Sequence, residues 1–293
     1  MFATSDIATF FLVLSGVSMC FITFLYFLTS HTKHHYQRRA LKQYEFVLSL
    51  IRNIQQHRGL SQGVISGEVS LQQKLQDTQR EISYLVESLN LSLTGKLADR
   101  WESFFDHWSR LRGNAVSVEA EDSFQQHNQM INNLLYLAEN ICNNSDLGYG
   151  RDHSATQLLW RQLLVLSECV GQSRALGASA LARGEASYLE LIRFQLLSEK
   201  IDDRLHSMDG SISIDKMSEL EHAIQPVNDA LKQFIVDLNG YKHSSQEYFS
   251  IATVSLDHVT SVLDEELAKM KQQLRVVPGL AGSRGLKRHA AHA

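Results

Sequence analysis

Two short stretches of this chain each hold an arginine among small residues. Gln56–Gly63 aligns with Gln172–Ser179, so that Arg58 and Arg174 occupy equivalent positions 116 residues apart. An arginine is costly to bury without an anionic partner. Two of them, on equivalent helices, would form a positive pocket for a small oxyanion. The planar, forked guanidinium group suits two-point contact with a flat anion.

The match extends into the residues that follow each arginine. Gly67–Ser70 aligns with Gly184–Ser187 after one inserted residue. Gly59, Gly63 and Gly67 are spaced by four and are predicted to share one helix face. Glycine inside a helix costs about 1 kcal/mol relative to alanine, so this face indicates a close approach of two helices or of a ligand. The candidate contacts besides the two arginines are Gly59, Ser61 and Gly177.

A purely structural role for the repeat is the alternative. Arg58 and Arg174 would then pair with carboxylates inside the protein, and the small residues would serve only to pack helices. The residue pattern is compatible with both interpretations.

The elements that position these residues are predicted to be helices throughout. Only two prolines occur in 293 residues, where about 15 would be average, and proline is excluded from helix interiors. From Leu41 onward apolar residues recur at steps of three and four, and the run from Leu75 to Leu111 predicts a helix of ten turns or more. Dense turn chemistry predicts breaks at Gly113–Asn114, Asn143–Gly150, Asp209–Gly210 and Asn239–Gly240.

The N-terminal region is predicted to cross a membrane once. Ile7–Leu28 contains no charged residue and as a helix would span about 33 Å. No basic residue precedes it, whereas Lys33, Arg38, Arg39 and Lys42 follow, which predicts a cytoplasmic C-terminal side. No second run of this length occurs. The predicted segments are a short N-terminus (1–6), the transmembrane helix (7–28), a basic juxtamembrane segment (29–42), a helical sensor domain (43–276) and a disordered tail (277–293).

Composition argues against several other classes of protein. The formal net charge is -4, which excludes a nucleic-acid-binding protein with a basic surface overall. The three cysteines are scattered and fit neither a disulfide framework nor a metal motif. His31, His34 and His35 lie in the basic segment. We expect them to form a solvated helix face near anionic lipid, and a metal site is the alternative interpretation. No catalytic motif is present, so we expect no enzyme, no cofactor and no metal.

At the arginine repeat the sequence resembles the nitrate- and nitrite-sensing (NIT) family. Its first signature is similar to Gln55–Ser61, and its second to Glu168–Gly177. Ile131–Glu139, followed by Asn144–Leu147, looks like the family's linking helix and turn. The resemblance covers roughly Tyr44 to Leu238.

The resemblance implies an all-α domain of two antiparallel four-helix bundles that acts as an input module in bacterial signalling. It implies that Arg58 and Arg174 bind nitrate or nitrite, with Arg183 as a further candidate. His57 stands where the family usually has an acid, which would alter anion preference or add sensitivity to pH. Asp146 stands where the linking turn commonly has glycine.

Together these features predict a sensor in the bacterial inner membrane that binds nitrate or nitrite through paired arginines. No kinase, methyl-accepting coiled coil or RNA-binding segment follows the domain, so we expect a separate signalling protein to receive the signal. The lipid bilayer is a further partner, and a homodimer is expected because symmetric pairing is common. The alternative is a membrane-anchored helical scaffold that senses no anion.

Overall fold

The structure is a computed structural model and describes residues 3–88, 93, 95–148 and 153–275. Helices account for nearly all of these residues. No strand occurs within these ranges, and the predicted all-α fold is confirmed. The helices are α1 (Ala3–Ile65), α2 (Gln72–Ser88), α3 (Lys96–Leu111), α4 (Ala120–Ser145), α5 (His153–Arg183), α6 (Tyr188–Ser207), α7 (Ile214–Asp237) and α8 (Ser245–Arg275), with a 3-10 turn at Val69–Leu71.

The helices form two four-helix bundles in which neighbours along the chain run antiparallel, as short connections require. The C-terminal half of α1 packs with α2, α3 and α4, and α5 packs with α6, α7 and α8. In each bundle the first helix makes its most extensive contact with the last, α1 with α4 and α5 with α8. This equivalence agrees with the sequence repeat, whose two copies lie on α1 and α5.

The bundles meet at a seam formed by α1, α5 and α8. Apolar residues at helical spacing bury one face of each helix. Tyr44 of α1 and Trp160 of α5 bring their rings to 5.3 Å across the seam. The cores beside the seam are rich in aromatic side chains, with Phe104 and Trp108 in the first bundle and Phe234 in the second. Any polar group placed in the seam is therefore removed from water.

The glycines of the repeat do not all lie on one helix face, which corrects that prediction. Gly59 and Gly63 are inside α1, but Gly67 lies beyond its end, with a φ of 100°. The amide of Gly67 donates to the carbonyl of Val64, and that of Glu68 donates to the carbonyl of Gly63. This is the Schellman arrangement, which satisfies the last carbonyls of a helix and favours glycine at the left-handed position.

The equivalent glycine in the second copy ends α5 in the same conformation. Gly184 has a φ of 73° and follows Arg183, the last helical residue. Ser187 then caps α6 by accepting from the amide of Glu190, whose carboxylate accepts from the Ser187 amide. The later part of the sequence repeat thus encodes the link between two antiparallel helices.

The predicted helix from Leu75 to Leu111 is two helices, α2 and α3. Gly95 precedes α3 with a φ of 57° and a ψ of -138°, a conformation that cannot continue a helix. The two segments also have different neighbours, because α2 packs on α1 and α3 packs on α4. Apolar spacing continued across the break, so periodicity alone gave no signal for it.

The predicted transmembrane and juxtamembrane segments belong to one helix with the start of the sensor domain. α1 is 63 residues long, which corresponds to about 95 Å. By length and composition it is the one helix in the described chain able to cross a membrane, with a window of mean hydropathy 1.3 that is entirely exposed. Buried positions begin at Gln37 and Ala40. The predicted tail, residues 277–293, lies outside the described residues.

Because Gly184 adopts a left-handed conformation, we expect Gly184→Ala to lower the free energy of unfolding by about 1–2 kcal/mol. An added Cβ would meet no atom within 4 Å, so backbone strain alone would act. Gly113→Ala is the matched control, since Gly113 has equal space and no positive φ. Thermal unfolding of the full chain in detergent, followed by circular dichroism, measures both; equal effects would contradict the assignment.

Candidate anion site at the seam between the bundles

Arg58 of α1 forms a buried ion pair with Glu168 of α5. The Arg58 side chain is fully buried, and its Nη1 donates to Glu168 Oε1 at 2.5 Å while Nη2 donates to Oε2 at 3.2 Å. Nη1 also donates to Asn128 Oδ1 at 2.6 Å. Gln55 and Gln172 donate to the same carboxylate, at 2.9 and 2.7 Å. A buried pair needs such additional hydrogen bonds to offset its desolvation.

Arg174 of α5 is buried as deeply but has a weaker set of partners. It is 6% exposed, and Nη1 donates to Thr253 Oγ1 at 3.2 Å, while Nε has no hydrogen-bond partner among the residues that the structure describes. Among the described residues no carboxylate forms an ion pair with it. Burial, followed by repulsion from Arg58, lowers the pKa of Arg174 from 12.5 to about 10. The guanidinium therefore remains charged at neutral pH.

Gly171 lets Arg58 approach α5 closely, whereas Arg174 lies at ordinary contact distance from Gly59 of α1. An added Cβ on Gly171 of α5 would lie 2.9 Å from Arg58 Nη2. An added Cβ on Gly59 of α1 would lie 3.8 Å from Arg174 Nη2 and 3.4 Å from the Phe249 ring. Each signature helix thus supplies one arginine and accommodates the arginine of the other.

A cavity of about 230 Å³ opens beside Arg174, between α1 and α8. One water molecule occupies about 30 Å³ in the liquid, so a small oxyanion and several waters would fit. Gln55, Thr253 and Thr260 contribute polar atoms to its wall, and Phe249 contributes an aromatic ring. Besides Arg174, the charged side chains of the wall are those of Arg52, Lys74 and Asp257, two bases and one acid. The Phe249 ring covers one face of the guanidinium, with the Arg174 Cζ 4.9 Å from the ring centroid.

A second cavity of about 260 Å³ lies along the small residues of α1 and α5. Its wall includes Gly63, Ser66, Ser179 and the Phe249 ring, and Glu68 is its charged residue. A wall with an acid and no basic side chain disfavours an anion. The cavity beside Arg174 is therefore the better candidate for an anion site.

Of the sequence-predicted contacts, the structure brings Arg58, Arg174 and Gly59 together at the seam. Ser61 is fully buried, with no partner for its hydroxyl, but it does not line either seam cavity. It lies one turn after His57, on the side of α1 that faces the first bundle.

Gly177 and Arg183 lie away from the arginine pair. Gly177 packs against aromatic rings of the second bundle, where an added Cβ would be 2.4 Å from Tyr248 Cε1. Arg183, at the end of α5, donates to Ser179 at 2.6 Å and pairs with Glu190 at 2.7 Å. Neither residue reaches the Arg174 cavity.

His57 is directed into the core of the first bundle rather than toward the anion site. Its Nδ1 lies 2.7 Å from Nε2 of His127, whose Nδ1 in turn lies 2.6 Å from the Ser123 carbonyl oxygen. The Trp108 ring packs against it edge-on. Burial lowers the pKa of His57 from 6.5 to about 4, and burial, with His57 adding repulsion, lowers that of His127 well below 6.5.

Sequence reasoning missed the contributions of α4 and α8. Asn128, Phe249 and Thr253 touch the arginines but lie in stretches that show ordinary helical spacing. In the sequence Glu168 stands out only as the first residue of the second signature, although an acid six residues before the arginine is a usable signal. Within the described part of the chain, no three His, Cys, Asp or Glu side chains are placed to hold a metal ion.

Comparison with known proteins gives one family and one solved structure. A family model described as nitrate and nitrite sensing matches residues 49–271. The structure entitled "Structure of the NasR transcription antiterminator" superposes with a TM-score of 0.64 at 16% identity, covering 87% of this chain and 74% of that one. At this identity the likeness shows the fold alone. No curated protein matches the sequence.

The unequal partners of the two arginines predict unequal effects of substitution. We expect Arg58→Met to lower the free energy of unfolding by about 3–5 kcal/mol, because Glu168 would remain buried without its partner. Arg174→Met should be close to neutral or stabilising in buffer without anions, since it removes an unpaired buried charge. Thermal unfolding of the full chain in detergent compares the two; equal destabilisation would show that Arg174 has a carboxylate partner.

The buried histidines predict a loss of stability in acid. Between pH 6.5 and about 4 an unfolded His57 binds a proton that the folded protein excludes, so stability falls as pH falls through this window. The full loss for His57 is on the order of 3 kcal/mol. His57→Gln should flatten the dependence of the melting temperature on pH, and substitution of the exposed His222 by glutamine should not. An unchanged slope in the first variant would refute this origin.

Proposed function

The chain belongs to the nitrate- and nitrite-sensing (NIT) family, and on that premise we propose that it binds one nitrate or nitrite ion beside Arg174. The family is a signalling module rather than an enzyme. We propose further that binding at the seam changes how the two bundles pack, and that a separate protein reads the change. The proposal draws on the charges, the shape and the position of the candidate site.

The charge balance of the seam is the observation that carries the proposal. Two buried guanidinium groups face one buried carboxylate, that of Glu168. The cavity wall adds the carboxylate of Asp257, the ammonium of Lys74 and the guanidinium of Arg52, which pairs with Asp264. Counted together, these described groups leave one positive charge uncompensated. His57 and His127 add no charge, because burial holds their pKa values below neutrality. A monovalent anion would neutralise the cluster, whereas a divalent one such as sulfate would overshoot and cost more desolvation.

The hydrogen-bonding geometry favours a flat anion over a spherical one. Phe249 occupies a face of the Arg174 guanidinium, so the N–H groups along its edge are the part available to a ligand. The buried Nε of Arg174 has no partner, and its Nη1 bond to Thr253 is long at 3.2 Å. Planar oxyanions accept two parallel hydrogen bonds from such an edge, which chloride cannot do with one centre.

We propose that Arg58 acts on the anion chiefly through its charge. Both its Nη atoms are engaged with Glu168, while its Nε is buried without a partner. The positive field of Arg58 favours an anion beside Arg174, and Glu168 holds the Arg58 side chain in place. Gly59 lies next to the Arg174 guanidinium on α1 but does not line the cavity proposed for the anion.

α1 offers a route for the signal. The same helix carries the candidate membrane span, Arg58 and the contact with α5. An anion bound between α1, α5 and α8 would stabilise one arrangement of these helices over others. We propose that α1 anchors the chain in the bacterial inner membrane with the bundles on the cytoplasmic side, and that a homodimer is the signalling form.

A membrane-anchored scaffold without anion sensing is the second candidate. The Arg58–Glu168 pair favours it in part, because that arginine is already neutralised inside the protein. In this case Arg174 would be a structural residue stacked on Phe249. The response to anions separates the two functions.

We expect nitrate or nitrite to raise the melting temperature of the full chain in detergent, saturably, and equal chloride or sulfate not to. At one hundred times the dissociation constant the stabilisation is about 2.7 kcal/mol, or about 5–10 °C for a protein of this size. Arg174→Gln should abolish the shift. Arg183→Gln, on the same helix, is the matched control and should retain it.

Arg174 is a better test of anion binding than Arg58, because Arg58→Gln would also disturb Glu168. A flat response of the unmodified chain to all four anions would remove the sensing function and leave the scaffold. A response that survives in Arg174→Gln would move the anion to another site.

A further inference from the structure

A second positive site lies at the other end of the bundles, where α1 enters the sensor domain. On α1, His35, Arg39 and Lys42 follow at intervals of four and three and so share a helix face. On the last turns of α8, Lys271 and Arg275 face them. These side chains line a cavity of about 620 Å³ between the two helices.

Internal partners account for only part of this positive charge. Arg38 donates to the carbonyl oxygen of Leu274 through Nε at 2.7 Å and also through Nη2, and so caps α8. Lys271 forms an ion pair with Glu45. Among the described residues no carboxylate pairs with Arg39, Lys42 or Arg275. Three unpaired cations therefore surround one cavity in a chain whose formal net charge is -4.

The position of the cavity indicates the anion that would occupy it. Arg39 lies eleven residues after Leu28, the end of the predicted span, on the same unbroken helix. That is about 16 Å along the axis. Helical side chains tilt toward the N-terminus of their helix, so those of Arg39 and Lys42 lean toward the membrane. α8 ends at the same level, because Arg38 caps it.

We propose that this cavity, formed by Arg39, Lys42 and Arg275, binds the phosphate of an anionic phospholipid headgroup. The site rests on the membrane anchoring advanced above but not on nitrate binding. Each basic residue near an anionic membrane surface strengthens association several-fold. A bound phosphate would join the end of α8 to α1 at the membrane surface.

The lipid site bears on the anion site through α8. The same helix carries Phe249 and Thr253, which contact Arg174 and lie about six to seven turns before Arg275. A lipid that fixes the end of α8 against α1 would restrict the movements of α8 at the seam. Bound anionic lipid should accordingly change how far α8 moves at the seam when an anion binds beside Arg174.

The test is native mass spectrometry of the full chain in neutral detergent, titrated with phosphatidylglycerol or phosphatidylcholine of equal chain length. We expect the unmodified chain to bind phosphatidylglycerol about tenfold more tightly or better. Replacing Arg39, Lys42 and Arg275 together by glutamine should remove the preference, and Arg39→Gln alone should reduce it. Both variants should keep the wild-type helical content and melting temperature.

The matched control replaces three cations at the opposite end of the bundles, Arg110, Lys232 and Lys242, by glutamine. It removes the same charge and should keep the lipid preference. Equal affinity of the unmodified chain for both lipids, or an equal loss in the control, would overturn the proposal. Displacement of phosphatidylglycerol by millimolar inorganic phosphate would overturn the lipid source and leave a free-phosphate site.

Failure of the membrane anchor gives a different result from failure of the lipid site. A chain that does not co-float with phosphatidylcholine vesicles lacks the anchor, whatever its lipid preference in detergent. A chain that co-floats but binds both lipids equally has the anchor without the headgroup site. The melting response to nitrate is measured in detergent without added lipid, so it tests the anion site separately from the anchor and the headgroup site.

Discussion

The structure depends on one constraint, the placing of two guanidinium groups in a seam that offers one buried carboxylate. Glu168 neutralises Arg58 and collects hydrogen bonds from two glutamines. Arg174 has only a long hydrogen bond to Thr253 and a stacking contact with the ring of Phe249. Burial without full compensation is costly, and such a cost is tolerable where a ligand relieves it. The seam is therefore incomplete as a structural element and well suited as a binding site.

The constraint also explains why the repeat is rich in small residues. A buried arginine needs room along the opposite helix, and Gly171 provides it for Arg58, because an added Cβ there would lie 2.9 Å from Nη2. Gly67 and Gly184 serve a different purpose, because they end the two arginine helices in the left-handed conformation. One sequence pattern thus combines packing at the seam with chain reversal beyond it.

α1 and α8 connect the seam to the end of the bundles that lies next to the predicted span. α1 passes through the predicted span, the basic segment and the seam without a break. α8 runs from the ring that covers Arg174 to the turn that Arg38 caps. Both helices are continuous over these lengths. The two proposed positive sites therefore lie toward opposite ends of one pair of contacting helices.

Much of this protein could be predicted from its residues alone. Apolar spacing and the scarcity of proline indicated an all-α fold, the turn residues marked most helix ends, and self-comparison identified the two equivalent arginines. Local chemistry controls these features, because helix formation and chain reversal depend on neighbours a few residues away. Two features were exceptions. Apolar spacing continued through the break near Gly95, where the packing partner changes, and the end of α1 came before Gly67, which was predicted to lie inside the helix.

Only the tertiary structure decided which groups meet. Arg58 forms an ion pair with Glu168, whereas Arg174 contacts Phe249 and Thr253, which lie on a helix about eighty residues later in the chain. His57 lies only two residues before Gly59, but its side chain points away from the seam and contacts His127 in the first bundle. Helical periodicity states which residues share a face, since each residue advances about 100° around the axis. It does not state which helix covers that face, and the partner's charge decides whether an arginine is a structural or a binding residue.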